Sequence, residues 1–185
     1  MNYTSEELLL ISTKEAEYKE YIANHIKNVQ TAWVTMKTNE KCMEIIHKVF
    51  KNQGFDLDGK ILAIDRLITN HDKSKYSKAE FDGYRKRFFP INATEAESYK
   101  EEFDKAWAHH WQNNLHHWNA WTPNVSSMPL VYVVEMVCDW IAMSEQFPQD
   151  KMAWGWYKNK TDIELGTVQR KLTEELLLAY YGYEE

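Results

Sequence analysis

"MPLVYVVEMVCDWIAM", residues 128–143, is apolar on nearly every side, which reads as a helix buried over most of its surface. Pro129 suits its first turn, so the helix is expected over about 129–147, stopped by Pro148. Glu135 and Asp139 interrupt the apolar run, four residues apart and therefore stacked on one face. A buried carboxylate needs a cation, hydrogen-bond donors or a metal ion. No Lys or Arg lies in this helix, so the partner must come from elsewhere in the chain. Two readings stand: a salt bridge or slightly exposed groove against a neighbouring helix, and a metal centre.

Outward from this helix the chain keeps the same period. Tyr18, Ile22, His25, Val29, Trp33 and Met36 mark one face of a helix over 13–37. Cys42, Ile45, Ile46, Val49 and Phe50 mark a second, closed by Gly54. Ile61, Ile64, Leu67 and Ile68 mark a third over 60–72. Ser77 with Glu80 has the capping-box spacing and opens "KAEFDGYRKRFF", which Pro90 closes. Thr94 with Glu97 repeats the signal ahead of "EAESYKEEFDKAWAHHWQNNLHHWNAW". As one straight helix that last segment would be ~40 Å long, about the width of a domain of this size. A bend near Gln112–Asn114 fits. Thr161 and Glu164 suggest a capped start leading to a C-terminal helix over 167–181. Strand-like alternation is nowhere sustained. The expectation is an all-α single domain of six to eight helices, its core over 13–147 and a helical extension over 150–185.

Composition narrows the function classes. The 185 residues are 44% hydrophobic and 27% charged, enough to bury a core without staples. A net charge of −6 argues against a protein built to grip nucleic-acid backbone. A local cationic pocket on such a surface still admits a small anionic substrate. Cys42 and Cys138 stand alone on separate helices, which suggests a reducing compartment and no zinc knuckle. The N-terminus lacks the pattern of a secretion signal, and no run of ~18 apolar residues exists. A cytoplasmic protein is expected, with no membrane association.

The histidines are placed unusually. His71, in "ITNHDKSKYS" (68–77), follows Ile68 by three and Leu67 by four, on the buried stripe of the third helix, with Asp72 beside it. His25 lies between Ile22 and Val29 on the buried stripe of the first helix; alone, it reads more simply as a satisfied core histidine. His47 is off its helix's apolar face and is expected at the surface. "AWAHHWQNNLHHW" (106–118) holds four of the seven histidines, where the plain alternative is aromatic and imidazole packing. On a straight helix His110 and His117 would be two turns apart, ~10.5 Å, too far for one ion. A divalent metal where His25, His71, Asp72 and Asp139 meet would answer several costly burials together.

The ordered set His25, His71-Asp72, His110, His116-His117 and Asp139 resembles the HD-domain superfamily of metal-dependent phosphohydrolases, with Lys75 matching the lysine of its HD-x-x-K form. The chain is also similar, over about 20–165, to an uncharacterised family of small bacterial and phage proteins with segments like "HDKSKYSKAEF", "AWAHHWQNNLHHW" and "MPLVYVVEMVCDWIAM". Only five residues separate His110 from His116, fewer than in the superfamily, so the choice between His116 and His117 stays open.

The resemblance implies an HD-like helical bundle and hydrolysis of a phosphoester, in a nucleotide or small phosphorylated metabolite, by metal-activated water. His25, His71, Asp72 and Asp139 would hold a first ion, with Asp72 beside the attacking water. His110 with His116 or His117 would hold a second ion or contact phosphate. Lys75 would counter phosphate charge, with Arg85 or Arg87 as further candidates if they are not simply a solvated face. Trp118, Trp121 and Tyr84 are candidates to stack on a base, or core aromatics. Mixed ligation suits Mn, Fe, Co or Zn, with Mg also open. Two alternatives stand beside hydrolysis: a di-iron oxygenase on the same scaffold, and a non-catalytic helical interaction protein.

Overall fold

Helical periodicity carries through to the backbone. In the computed structural model, which describes residues 4–52, 54, 56–146 and 152–183, the regular elements are α1 (Ser5–Thr38), α2 (Glu40–Asn52), α3 (Leu57–Asn70), α4 (Phe81–Phe88), α5 (Ala93–Ser98), α6 (Lys100–Asn113), α7 (Leu130–Gln146), α8 (Ala153–Lys158) and α9 (Thr167–Tyr181). Short 3-10 turns lie at Lys73–Tyr76, Trp118–Trp121 and Val125–Ser127, and there is no strand among the described residues. The protein is all-α. No helix among the described residues is long and apolar enough to cross a membrane.

The chain divides into two compact units, one of residues 1–24 with 72–114 and the other of residues 25–71 with 115–185. In the first unit α4 packs on α6 with no room to spare. A Cβ on Gly83 would sit 2.7 Å from the Glu102 carbonyl oxygen and 2.8 Å from the Ala106 Cβ. Gly83→Ala is therefore expected to destabilise this unit by about 1–3 kcal/mol through overpacking, read as a lowered midpoint in urea unfolding. Above the glycine contact, Tyr84 and Phe88 meet Phe103 edge-on, at ring separations of 5.3 and 5.7 Å. Tyr18, from the N-terminal part of α1, meets Phe81 and Phe89 at 5.0 and 5.7 Å.

Arg85 anchors the same unit. It is 3% exposed, and its two terminal nitrogens donate to the two oxygens of Glu95 at 2.6 and 2.7 Å. Glu95 also accepts from the Ile91 N–H at 2.8 Å. Burial would raise the Glu95 carboxyl, but the Arg85 guanidinium and the Ile91 N–H together hold it below the ordinary 4.5. A carboxylate depressed in the folded state adds stability that is present above its unfolded value and lost as pH falls through the folded one. Acid unfolding of the wild type should accordingly steepen below about pH 4.5, and Glu95→Gln should flatten that limb in a circular-dichroism titration.

Cap chemistry shifts several expected boundaries. α1 begins at Ser5 rather than 13 because Thr4 and Glu7 form a reciprocal capping box, Thr4 N–H to Glu7 Oε2 at 2.8 Å and Glu7 N–H to Thr4 Oγ1 at 3.2 Å. The box expected at Ser77 and Glu80 does not form: α4 has no side-chain cap, and the Glu80 side chain points inward. α5 is capped by Asn92, whose side chain accepts from the Glu95 N–H, instead of by Thr94. The long segment expected after it is broken at Tyr99, and α6 stops at Asn113, inside the Gln112–Asn114 stretch where a bend fits.

In the second unit α7 packs against α3, α8 and α9, and α2 against α3 and α9. The apolar run of α7 explains this: Val133, Val134, Val137 and Ile141 are wholly buried, with Leu172, Leu176 and Leu177 of α9 and Val29 and Met36 of α1 in the same core. Gln169 donates to the Ser126 and Met128 carbonyls, both at 2.9 Å, and so fastens the approach to α7 onto α9. α9 closes on Gly182, whose left-handed φ of 69° lets its N–H reach back to Ala179, a position that favours glycine. α8 falls in the expected helical extension without its own sequence signal. α9 starts at Thr167, as expected, with Gly166 at the N-cap position and no side-chain cap. Pro148, read as the stop of α7, lies outside the described residues.

Candidate metal centre

Three helices and one irregular stretch of the second unit bring ligand atoms together. His25 projects from the buried face of α1, one turn before Val29. His71 ends α3 as its C-cap, with φ −48° and ψ 129°, so its ring is released from the helical direction. His116 stands in the irregular stretch after α6, where the Trp121 indole N–H holds the neighbouring Leu115 carbonyl at 2.9 Å. α7 supplies Asp139 and, one turn earlier, Glu135. The three imidazoles are each 1% exposed and Asp139 is 8% exposed, the largest exposure of these four.

The ring nitrogens converge on one carboxylate. His25 Nε2 lies 3.1 Å from Asp139 Oδ1 and His71 Nε2 lies 3.6 Å from it. His116 Nε2 is 3.9 Å from Asp139 Oδ2, and the Nε2 atoms of His25 and His71 are 3.3 Å apart. His71 Nδ1 sits 3.0 Å from Glu135 Oε1. An ionised carboxylate only accepts, so this nitrogen carries the hydrogen and, in the neutral ring, Nε2 carries a lone pair. That lone pair faces the Asp139 oxygen and another imidazole nitrogen. A lone pair facing a carboxylate oxygen in a buried place calls for a cation, a proton or a metal ion, between them.

A metal ion meets that need. Atoms bound at about 2.1 Å to one ion stand about 3.0 Å apart in an octahedron and about 3.4 Å apart in a tetrahedron. The His25–Asp139, His71–Asp139, His116–Asp139 and His25–His71 separations of 3.1–3.9 Å need only small adjustments. His71, His116 and Asp139 each offer an atom within 4.8 Å of the others. With protons rather than a metal ion between the rings and the carboxylate, burial would raise the Asp139 carboxyl, yet hydrogen bonds and charge from His25 and His71 would hold it well below the carboxylate range. These buried His and Asp groups can hold a metal ion.

The first unit has a polar cluster of its own. Asp72 takes the left-handed conformation, φ 53°, which ends the helix that precedes it. Its Oδ2 pairs with Lys75 Nζ at 2.6 Å, and its Oδ1 lies 3.3 Å from His110 Nε2. His110 Nδ1 faces Glu80 Oε2 at 2.8 Å, and His109 Nδ1 faces Glu80 Oε1 at 2.7 Å. Ser74 Oγ donates to Glu80 as well, at 3.0 Å. Burial would raise the Glu80 carboxyl, and the hydrogen bonds from His110, His109 and Ser74 hold it below its ordinary value. Burial lowers His110, more than Asp72 and Glu80 raise it. Glu80 carries no sign of this role in the sequence, where its spacing from Ser77 reads as a cap.

His25, His71, His116 and Asp139 come together in the second unit, while Asp72, Lys75 and His110 come together in the first. His116 is the member of the His-His pair that faces Asp139; the His117 ring lies against it, 4.2 Å between centres and tilted by 40°. Arg85, a candidate for phosphate, is instead committed to Glu95. Arg87 lies over the Tyr99 ring at 4.6 Å. Trp118 and Trp121, candidates for base stacking, pack against the core of the second unit. Tyr84 is buried against Phe103 and His110, with Lys75 Nζ 5.5 Å from its ring centre. His47 is exposed, as expected.

The chain belongs to a family of unknown function, DUF5662, whose profile matches residues 14–178. No curated protein and no solved structure matches it. Membership assigns no chemistry, so the reading of function rests on the residues themselves.

Proposed function

We propose that this protein is a metal-dependent phosphohydrolase acting on a nucleotide or other small phosphorylated metabolite, with the ion held by His25, His71, His116 and Asp139. The observation that supports this most directly is the convergence of three imidazole nitrogens on the Asp139 carboxylate, at 3.1–3.9 Å, in a buried place. Three neutral rings and one carboxylate carry a single negative charge, which leaves a divalent ion with net positive charge and favours an anionic substrate. Three nitrogens to one oxygen weigh toward Mn, Fe, Co or Zn over Mg. The chemistry such an ion supplies is activation of water near neutral pH and polarisation of a phosphoryl oxygen. Asp139, with its side chain 12% exposed, gives that chemistry its outlet to solvent. The likeness to HD-domain phosphohydrolases extends to Asp72 and Lys75. The two are an ion pair in the first unit.

Protein purified without chelator should contain a divalent ion by mass spectrometry. It should also release phosphate from part of a panel of nucleotides and phosphomonoesters. Chelation should abolish release, and added Mn2+, Co2+ or Zn2+ should restore it. A stable protein that takes up no ion overturns the reading in favour of a non-catalytic helical protein. An iron absorption band with oxygen consumption and no phosphate release overturns it in favour of an oxygenase.

A further inference from the structure

The carboxylate at 135 differs from its neighbour at 139 in what it touches. Glu135 is 4% exposed, and its Oε1 faces two imidazoles at once, His71 Nδ1 at 3.0 Å and His116 Nδ1 at 3.4 Å. Asp139, one turn further along α7, faces the Nε2 atoms of the same two rings. The two rings lie side by side, 4.4 Å between centres and tilted by 37°. One face of one helix thus grips both rings end to end, with a carboxylate at each end. A side chain that only filled space would not require a charge here, because a buried carboxylate is costly unless it is used.

Resting on the metal-centre reading, we propose that Glu135 is a positioning residue: its single oxygen Oε1 holds the Nδ1–H of both His71 and His116 and thereby presents both Nε2 lone pairs to the ion. A neutral imidazole has one hydrogen, and whichever nitrogen keeps it leaves the other as the ligand. Such partners behind the ligating ring fix its orientation and raise its basicity, and losing one typically weakens metal affinity about 10–100-fold. Using one carboxylate for two rings also couples them. Removing the charge disturbs two ligands together, so the effect belongs at the upper end of that range.

The test reads the hydrogens directly. Long-range proton–nitrogen NMR correlations on the full chain, stripped of metal at mildly alkaline pH, should show His71 and His116 both protonated at Nδ1. Glu135→Gln keeps the shape and removes the charge. Its amide can turn its NH2 toward the rings, so at least one ring should change tautomer. Co2+ affinity by competition titration should fall about 100-fold, with the far-ultraviolet circular dichroism preserved. Nε2–H on both rings of the wild type overturns the proposal, whatever the variant does. So does a Glu135→Gln protein with unchanged tautomers and unchanged Co2+ affinity. If the variant fails to fold, the wild-type tautomers decide alone. Nδ1–H rings and tight Co2+ binding without phosphate release would defeat the hydrolase reading and leave this one standing.

Discussion

Asp139→Asn is expected to take up no metal at the proposed centre while its helices stay in place. The side chain keeps its size and position on α7 and loses the only negative charge among the four proposed ligands. Full structural-site binding is worth about 10–16 kcal/mol, so one ligand in four accounts for roughly 3 kcal/mol, or about two decades of affinity at 1.4 kcal/mol per decade. Losing the one anionic ligand should cost at least that much, and phosphate release should disappear with the metal. The measurements are metal content after gel filtration, Mn2+ or Co2+ affinity, and far-ultraviolet circular dichroism. His47→Ala, on an exposed helix face, is the control and should match the wild type in all three. An Asp139→Asn protein with undiminished affinity would place the ion elsewhere.

The second large effect belongs to Arg85, and it concerns stability rather than chemistry. Arg85→Met removes one partner of a buried bidentate pair and strands Glu95, whose side chain is only 10% exposed. Breaking a buried pair from one side typically costs about 3–5 kcal/mol. That is a large share of the stability of a domain this size. Urea unfolding of Arg85→Met should show the loss. The double variant Arg85→Met with Glu95→Gln should regain part of it, because no charge is then left stranded. If Arg85 instead served as an exposed phosphate contact, the single variant would unfold like the wild type and lose substrate affinity alone. Its burial and its two short bonds to Glu95 argue for the first outcome.

How far the sequence carries depends on the range of the interaction. Capping at Thr4 and Glu7 is a local signal, present in the sequence ahead of the apolar stripe that begins later. The break at Tyr99 is different, because the segment around it has helical composition throughout. Among the site residues, His25, His71 and Asp139 were legible since each interrupts an apolar stripe, where a polar group demands a partner. His116 was ambiguous with His117 because it lies outside any helix, and periodicity says nothing about where a loop residue points. Arg85 read as one of several basic residues on a solvated face, since its partner, ten positions away, is fixed by how α4 and α5 meet.

The sequence by itself determined that the protein is helical, which faces are buried, and that costly polar groups sit on them, because hydrogen bonding and side-chain direction within a helix repeat over three or four residues. Only the tertiary structure decided which of those groups meet. Asp139 gathers Nε2 atoms, Glu135 gathers Nδ1 atoms, and Glu80 turns from an expected cap into a buried acceptor for His109 and His110. Those assignments depend on separations of a few ångströms between residues tens of positions apart. Helical period does not encode such separations; the packing of one helix on another does.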